Sequence, residues 1–307
     1  MSLGRALILK TAAMKPVERL VRRSFLFRPL VRRFIAGDTL EEALPQAEAL
    51  AQKGLFSTLD YLGENTHSEA EALAAKKTYI EMLARIAESP RRDDINISIK
   101  LTQCGMDQGE EFCERNYREV LEVAREKSIF VRVDMEGSDY TDRTIRMIER
   151  VFPDFTNTGT VLQSYLYRSL EDAEKLIALG VRVRIVKGAY LEPESVAYQS
   201  KQKVDEMYVE ITKLLLQRGH YPAVATHDPK IIDQVKAFAT REGISKARFE
   251  FQMLYGIRRD LQDSLRAEGY NVRVYIPYGD QWYPYFTRRL AERPANAFFI
   301  LKSLFRR

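Results

Sequence analysis

The chain has 307 residues, 45% of them hydrophobic and 30% charged, with a formal net charge of +5. That balance fits a folded globular protein of one large or two ordinary domains and excludes a disordered or fibrous chain. No apolar run approaches membrane-spanning length, no signal-peptide core is visible, and two cysteines, Cys104 and Cys113, are too few for a disulfide framework. The expectation is a cytoplasmic protein with reduced thiols.

A basic segment comes first. Residues 1–35 hold nine Lys or Arg against one acid, Glu18. Val17, Leu20, Val21 and Phe25 recur at helical spacing, with Pro16 and Pro29 as breaks. Two readings fit. The apolar stripe packs on the domain and leaves a basic face in solvent, or the arm lies on an anionic membrane surface. Nucleic acid fits poorly, because aromatic residues are not interleaved with the basic ones as a single-strand platform needs. Residues 39–53 read as a helix with Thr39 as N-cap and Gly54 as stop. The expected organisation is an N-terminal helical arm over 1–53 and a catalytic barrel over 54–307.

Strands are expected to start near residues 55, 95, 129, 159, 181, 222, 249 and 272. The segments 96–101, 131–135, 181–185, 249–253 and 272–276 alternate apolar residues with polar or charged ones, the period of a pleated strand. Helical patterns fill the intervals 68–88, 110–126, 141–151, 170–179, 204–218, 229–242 and 260–268. Gly180, Gly219, Gly243 and Gly269 each end a helix just before the next strand. Eight such units predict a (β/α)8 barrel, with a doubly wound sheet as the alternative. No G-x-G-x-x-G follows a strand and no Walker A sequence occurs. Strands covered by helices have no solvent face, so their charges must point into an enclosed interior and pair there or meet a ligand. Glu250, Arg273, Arg132 and Arg182 read as ion pairs that fill the barrel.

Chemistry in such a barrel gathers at the C-terminal ends of the strands. Those ends are rich in cations, amides and tyrosines. His67, His220 and His227 are not spaced as a zinc pair, and no metal is expected. No G-x-S-x-G elbow is present. After the eighth strand, residues 278–293 combine aromatic side chains with Arg288 and Arg289. Planar guanidinium forks of this kind suit a small carboxylate with an apolar body.

Seven runs carry a specific resemblance. They are Ser98-Ile99-Lys100-Leu101-Thr102-Gln103, Val133-Asp134-Met135-Glu136, Leu162-Gln163-Ser164-Tyr165-Leu166, Val186-Lys187-Gly188-Ala189-Tyr190, Ala225-Thr226-His227-Asp228, Phe251-Gln252-Met253-Leu254-Tyr255-Gly256 and Tyr285-Phe286-Thr287-Arg288-Arg289-Leu290-Ala291-Glu292. In this order, at the ends of nearly every expected strand, the chain resembles proline dehydrogenase in its short, single-function bacterial form. The resemblance implies a distorted (β/α)8 barrel whose last helix lies over the mouth and whose strand ends hold FAD. It implies oxidation of L-proline to Δ1-pyrroline-5-carboxylate by hydride transfer to the flavin, with electrons passing to a membrane quinone. That acceptor favours peripheral membrane contact at the inner face of the cell membrane. A related cyclic imino acid such as hydroxyproline is the alternative substrate, and bulky Tyr275 disfavours it.

The resemblance also implies roles. Arg288, Arg289 and Lys100 hold the substrate carboxylate, while Tyr275, Tyr285 and Leu254 wall its ring. Asp134 lies beneath and holds that network in place, and its local alternative is a counterion for Arg132 or Arg182. Arg184 sits at the flavin N5 edge. Met135, Gln163, Val186, Lys187 and Gly188 match positions that contact FAD, as do Ala189, Tyr190, Thr226 and His227. Gly188 suits close approach of backbone to a ligand. Glu64 pairs with Arg288 across the mouth as a gate. The proton acceptor, the quinone, the oligomeric state and any contact with pyrroline-5-carboxylate dehydrogenase stay open.

Overall fold

A computed structural model of the protein describes Glu18, Arg19, Val21 and residues 28–292. The remainder of the expected basic arm and the sequence after Glu292 lie outside the described residues. Eight parallel strands close into a barrel in chain order: β1 Phe56–Tyr61, β2 Ile95–Ile99, β3 Val131–Val133, β4 Thr158–Gln163, β5 Arg182–Val186, β6 Ala223–Ala225, β7 Glu250–Leu254 and β8 Asn271–Tyr278. Closure is direct: β8 lies parallel to β1, with Phe56 opposite Arg273 and Tyr61 opposite Tyr278. The expected barrel is the observed fold. Each strand begins within two residues of its expected start.

Helices cover the barrel. They are α1 Arg28–Phe34, α2 Leu40–Gln52, α3 Glu69–Glu88, α4 Glu110–Glu126, α5 Ser138–Val151, α6 Ser169–Leu179, α7 Lys201–Arg218, α8 Pro229–Arg241, α9 Arg259–Ala267 and α10 Tyr283–Glu292. Outward strand residues such as Ile97, Val131, Val183 and Val272 join Tyr79, Tyr117 and Tyr208 from the helices in one buried shell. The alternate residues face the axis, so Arg132, Arg184 and Glu250 are buried inside the barrel.

Two helix starts escaped local reading. Helix α5 begins three residues before the expected 141 because Glu192, from the β5–α7 connection, accepts from the Ser138 amide at 2.8 Å and from its hydroxyl. That cap comes from 54 residues away in sequence. Helix α7 begins at Lys201, where the Ser200 hydroxyl accepts from the Lys203 amide at 3.4 Å. Thr39 stands at the N-cap of α2 but its side chain accepts no cap hydrogen bond. Gly180, Gly243 and Gly269 have left-handed φ of +79°, +65° and +86°. Gly219 departs from the expected cap geometry, with φ −79°. Glycine suits it for space, since a Cβ would fall 2.6 Å from the Leu215 carbonyl oxygen.

The interior ion pairs also differ from expectation. Glu250 and Arg273 do pair, at 3.0 Å. Arg132 instead donates to the carbonyls of Thr160 at 3.0 Å and Arg182 at 2.5 Å. Arg182 lies over the rings of Phe130 and Tyr221 at 5.1 and 5.3 Å. Carbonyls and ring faces solvate these two cations because one glutamate cannot neutralise three.

The described part of the N-terminal segment packs by its apolar side. Ile35, with Val21, Val31 and Phe34, meets Leu62, Tyr285 and Phe286, while Arg32 and Arg33 stay exposed. The Ala36 amide bonds to the Pro277 carbonyl at 2.9 Å and the Gly279 amide to the Gly37 carbonyl at 3.0 Å. Among the described residues, no helix is long and apolar enough to cross a membrane.

Candidate functional site

The C-terminal strand ends and α10 enclose one cavity of about 990 Å³. Lys100, Asp134 and Arg184 rise into it from β2, β3 and β5, Tyr275 from β8, and Arg288 with Arg289 from α10 above. The volume lies at the upper end of the range for small-molecule and cofactor sites. Helix α10 reaches over the mouth after Gly279, the residue following β8, turns the chain with a φ of +121°.

Asp134 is the hub of the floor. Its Oδ1 accepts from Arg184 at 2.8 Å and from the Ser98 hydroxyl at 3.0 Å, and its Oδ2 accepts from the Tyr275 hydroxyl at 2.6 Å. Arg184 lies over the Tyr275 ring at 5.2 Å. The counterion of Asp134 is therefore Arg184, in place of the local alternatives Arg132 and Arg182. Burial first, then the Asp134 and Asp60 charges, push the Tyr275 phenol well above its ordinary range, so it stays a donor.

Lys100 is anchored by a residue the sequence reading left without a role. Asp60, at the end of β1, accepts from Lys100 Nζ at 2.7 Å, and both side chains are buried. Burial alone would lower the Lys100 ammonium, but Asp60 and Asp134 outweigh it and hold its affinity for the proton above the usual lysine range. The lysine is a fixed cation at the cavity floor. The signal for Asp60 was present in the alternation of β1, which places Thr58 and Asp60 on one face.

The roof carries a second pair. Arg288 donates to both Glu64 oxygens, at 3.3 and 2.6 Å, and lies over the Tyr190 ring at 5.5 Å. Arg289 lies over the Tyr285 ring at 5.3 Å. Tyr285, Leu254 and Tyr275 line the space between these cations and the floor.

The opposite flank holds Met135, Gln163, Val186, Lys187, Gly188, Ala189, Tyr190, Thr226 and His227, all on the same cavity. Two buried polar atoms on this flank, Gln163 Oε1 and Arg184 Nε, have no hydrogen-bond partner. Native buried polar groups are almost always paired, so these two atoms have capacity for a further hydrogen bond. Lys187 is held between Asp205 at 2.6 Å and Asp228 at 3.3 Å. His227 Nε2 accepts from the Leu254 amide at 2.9 Å, which ties the ends of β6 and β7 and places its ring proton on Nδ1. Gly188 lines the cavity, and a Cβ there would collide with the Tyr165 ring, so a side chain at this position has no room. Among the described residues, no three His, Cys, Asp or Glu side chains group as metal ligands.

Comparison with known proteins gives the family and the fold. The family model described as proline dehydrogenase matches residues 43–302. Proline dehydrogenase 1 of Bacillus subtilis subsp. natto is 43% identical over 276 residues, spanning 90% of this chain and 91% of that protein. Proline dehydrogenase of Deinococcus radiodurans is 42% identical over 305 residues, 98% of each chain. Among solved structures, proline utilization A (PutA) from Bdellovibrio bacteriovorus, inactivated by N-propargylglycine, superposes with a TM-score of 0.82 at 27% identity. That match covers 99% of this chain and 37% of the other, so this chain spans just over a third of that larger protein.

Proposed function

The chain belongs to the proline dehydrogenase family, and from that premise we propose that it oxidises L-proline to Δ1-pyrroline-5-carboxylate with FAD held in the cavity. One observation carries the reading. A set of fixed cations and a wall with unmet polar atoms share a single cavity over the strand ends.

The cofactor fits the flank. Gln163 Oε1 and Arg184 Nε lack partners that a flavin would provide, and Lys187, Ala189, Tyr190, Thr226 and His227 extend the same wall. When bound, FAD supplies the acceptor for a hydride from the ring carbon beside the substrate nitrogen. The protein must orient and charge-match the reactants. Arg288, Arg289 and Lys100 bind the carboxylate, Tyr275, Tyr285 and Leu254 wall the ring, and Arg184 presents a cation to the cofactor flank. Asp134 holds both Arg184 and Tyr275, so one carboxylate sets the positions of groups on the substrate side and the cofactor side. Glu64 neutralises Arg288 at the roof and gates the entrance.

The Tyr275 hydroxyl is fixed on Asp134 at 2.6 Å, which leaves its ring an unyielding wall and favours proline over a 4-hydroxylated ring. The proposal takes a membrane quinone as electron acceptor and the basic N-terminal segment as a peripheral membrane contact. The exposed Arg28, Arg32 and Arg33 on and beside the roof-packed helix support that contact. A passing contact with pyrroline-5-carboxylate dehydrogenase would consume the product.

The test is the visible spectrum of the purified protein, anaerobically, before and after L-proline. A yellow flavin band that bleaches with L-proline and much less with 4-hydroxyproline is expected. A colourless protein, or a flavin that L-proline leaves oxidised, would overturn the reading.

A further inference from the structure

The Glu64 carboxylate can meet Arg288 only if its loop is held still, and that loop has little regular structure of its own. Residues 62–66 carry Asn65 in the left-handed region at φ +51°, a conformation asparagine adopts readily, and neighbours hold the loop by hydrogen bonds. Those neighbours belong to the turn after β2. The Asn65 amide donates to the Thr102 hydroxyl at 3.2 Å, and the Thr66 hydroxyl donates to the Thr102 carbonyl at 2.8 Å. Gln108 Nε2 donates to the Thr66 carbonyl at 2.7 Å. Gly63 sits so close over Gln103 that a Cβ would lie 2.5 Å from its Nε2.

Thr102 is fully buried, and its hydroxyl has a second partner. It donates to Glu136 Oε2 at 2.6 Å, while the Thr102 amide approaches Glu136 Oε1 at 3.3 Å. The Glu136 carbonyl in turn accepts from Gln163 Nε2 at 3.3 Å, on the cofactor flank. One hydroxyl thus accepts from the gate loop and donates to a buried carboxylate beside the cavity.

We infer that Thr102 is a positioning residue for the Glu64–Arg288 gate, its hydroxyl pinning the gate loop to Glu136 and slowing the escape of bound substrate. The inference deepens the proposed function and rests on its assignment of Arg288 to the substrate carboxylate. Valine at this position keeps the shape but leaves the Asn65 amide and one Glu136 oxygen unpaired. Serine keeps the hydroxyl.

The experiment uses the full-length flavin-loaded protein and tetrahydro-2-furoate, the ether isostere of proline, whose arrival and departure perturb the flavin spectrum. Thr102→Val should raise its dissociation rate about three- to tenfold, with the flavin reduction potential unchanged, and Thr102→Ser should restore the slow rate. In a Glu64→Ala background, which itself dissociates faster, Thr102→Val should add nothing, because coupled residues are not additive. Gln108→Met, at a partly exposed site, should give a smaller increase and covers the case in which the valine variant folds poorly. An unchanged rate in Thr102→Val and Gln108→Met overturns the inference, as does an equal effect with and without Glu64. A protein that shows no flavin perturbation with the isostere and no reduction by proline overturns the proposed function itself, and this inference with it.

Discussion

The lower and upper layers of the barrel interior are written in the same alternating code, yet they end in opposite states. In the lower layer Arg273 meets both Glu250 oxygens and the Ser57 carbonyl, and Arg132 meets two carbonyls. That layer is closed. In the upper layer Asp134 is saturated by Arg184, Ser98 and Tyr275, but Arg184 Nε and Gln163 Oε1 are buried without partners on residues that line the cavity. The difference teaches that a buried charge is no pointer to function by itself. In the upper layer, unlike the lower, the residues with polar capacity left over also line the cavity.

The comparison breaks most visibly at its closed layer. Arg273→Met strands the buried Glu250 and should cost about 3–5 kcal/mol of stability, read from denaturant midpoints, while the proline KM of the folded fraction stays unchanged. A large KM shift would erase the distinction between the layers. Glu136 gives the next effect. Burial, against the opposing Thr102 hydrogen bonds and Lys100, pushes its carboxyl up from 4.5 to about 7. The folded protein therefore holds this proton more tightly than the unfolded chain. The resulting stabilisation is complete below about pH 4.5 and is lost as pH rises through about 7. The span is on the order of 3 kcal/mol. Glu136→Gln should flatten the stability profile across that window, and unfolding midpoints that keep the wild-type slope would refute the assignment.

The open layer answers to kinetics. Arg288→Lys or Arg289→Lys retains charge and loses the fork, and each should raise the proline KM by roughly 10- to 100-fold, about 1.4–2.8 kcal/mol, with little change in melting. Unchanged Michaelis constants in both variants would discard the carboxylate clamp.

How far the sequence could be read follows from the range of the forces involved. The strand starts were legible because alternation is a period-two signal contained within five or six residues. Asp134, Lys100 and Arg184 stood out because strand ends in a barrel converge by rule. Asp60 was visible in the same alternation but had no role until Lys100 Nζ lay 2.7 Å away. The early start of α5 was invisible, since its cap is Glu192. The packing of the Tyr165 ring against Gly188 was invisible in the sequence, since it depends on a contact between two separate strand ends. Thr102 stood in a quoted run without a role of its own until the Asn65 amide and the Glu136 carboxylate met on its hydroxyl.

By itself the sequence determined the eightfold β/α order and the inward face of each strand, and it named cationic and aromatic side chains that the fold brings to one cavity. These are local properties, carried by side-chain period and by the chemistry of single residues. Tertiary structure decided which charges neutralise one another and which keep unused capacity. That choice depends on barrel closure, because stagger and strand tilt bring Asp134 to Arg184 across 50 residues and Glu64 to Arg288 across 224.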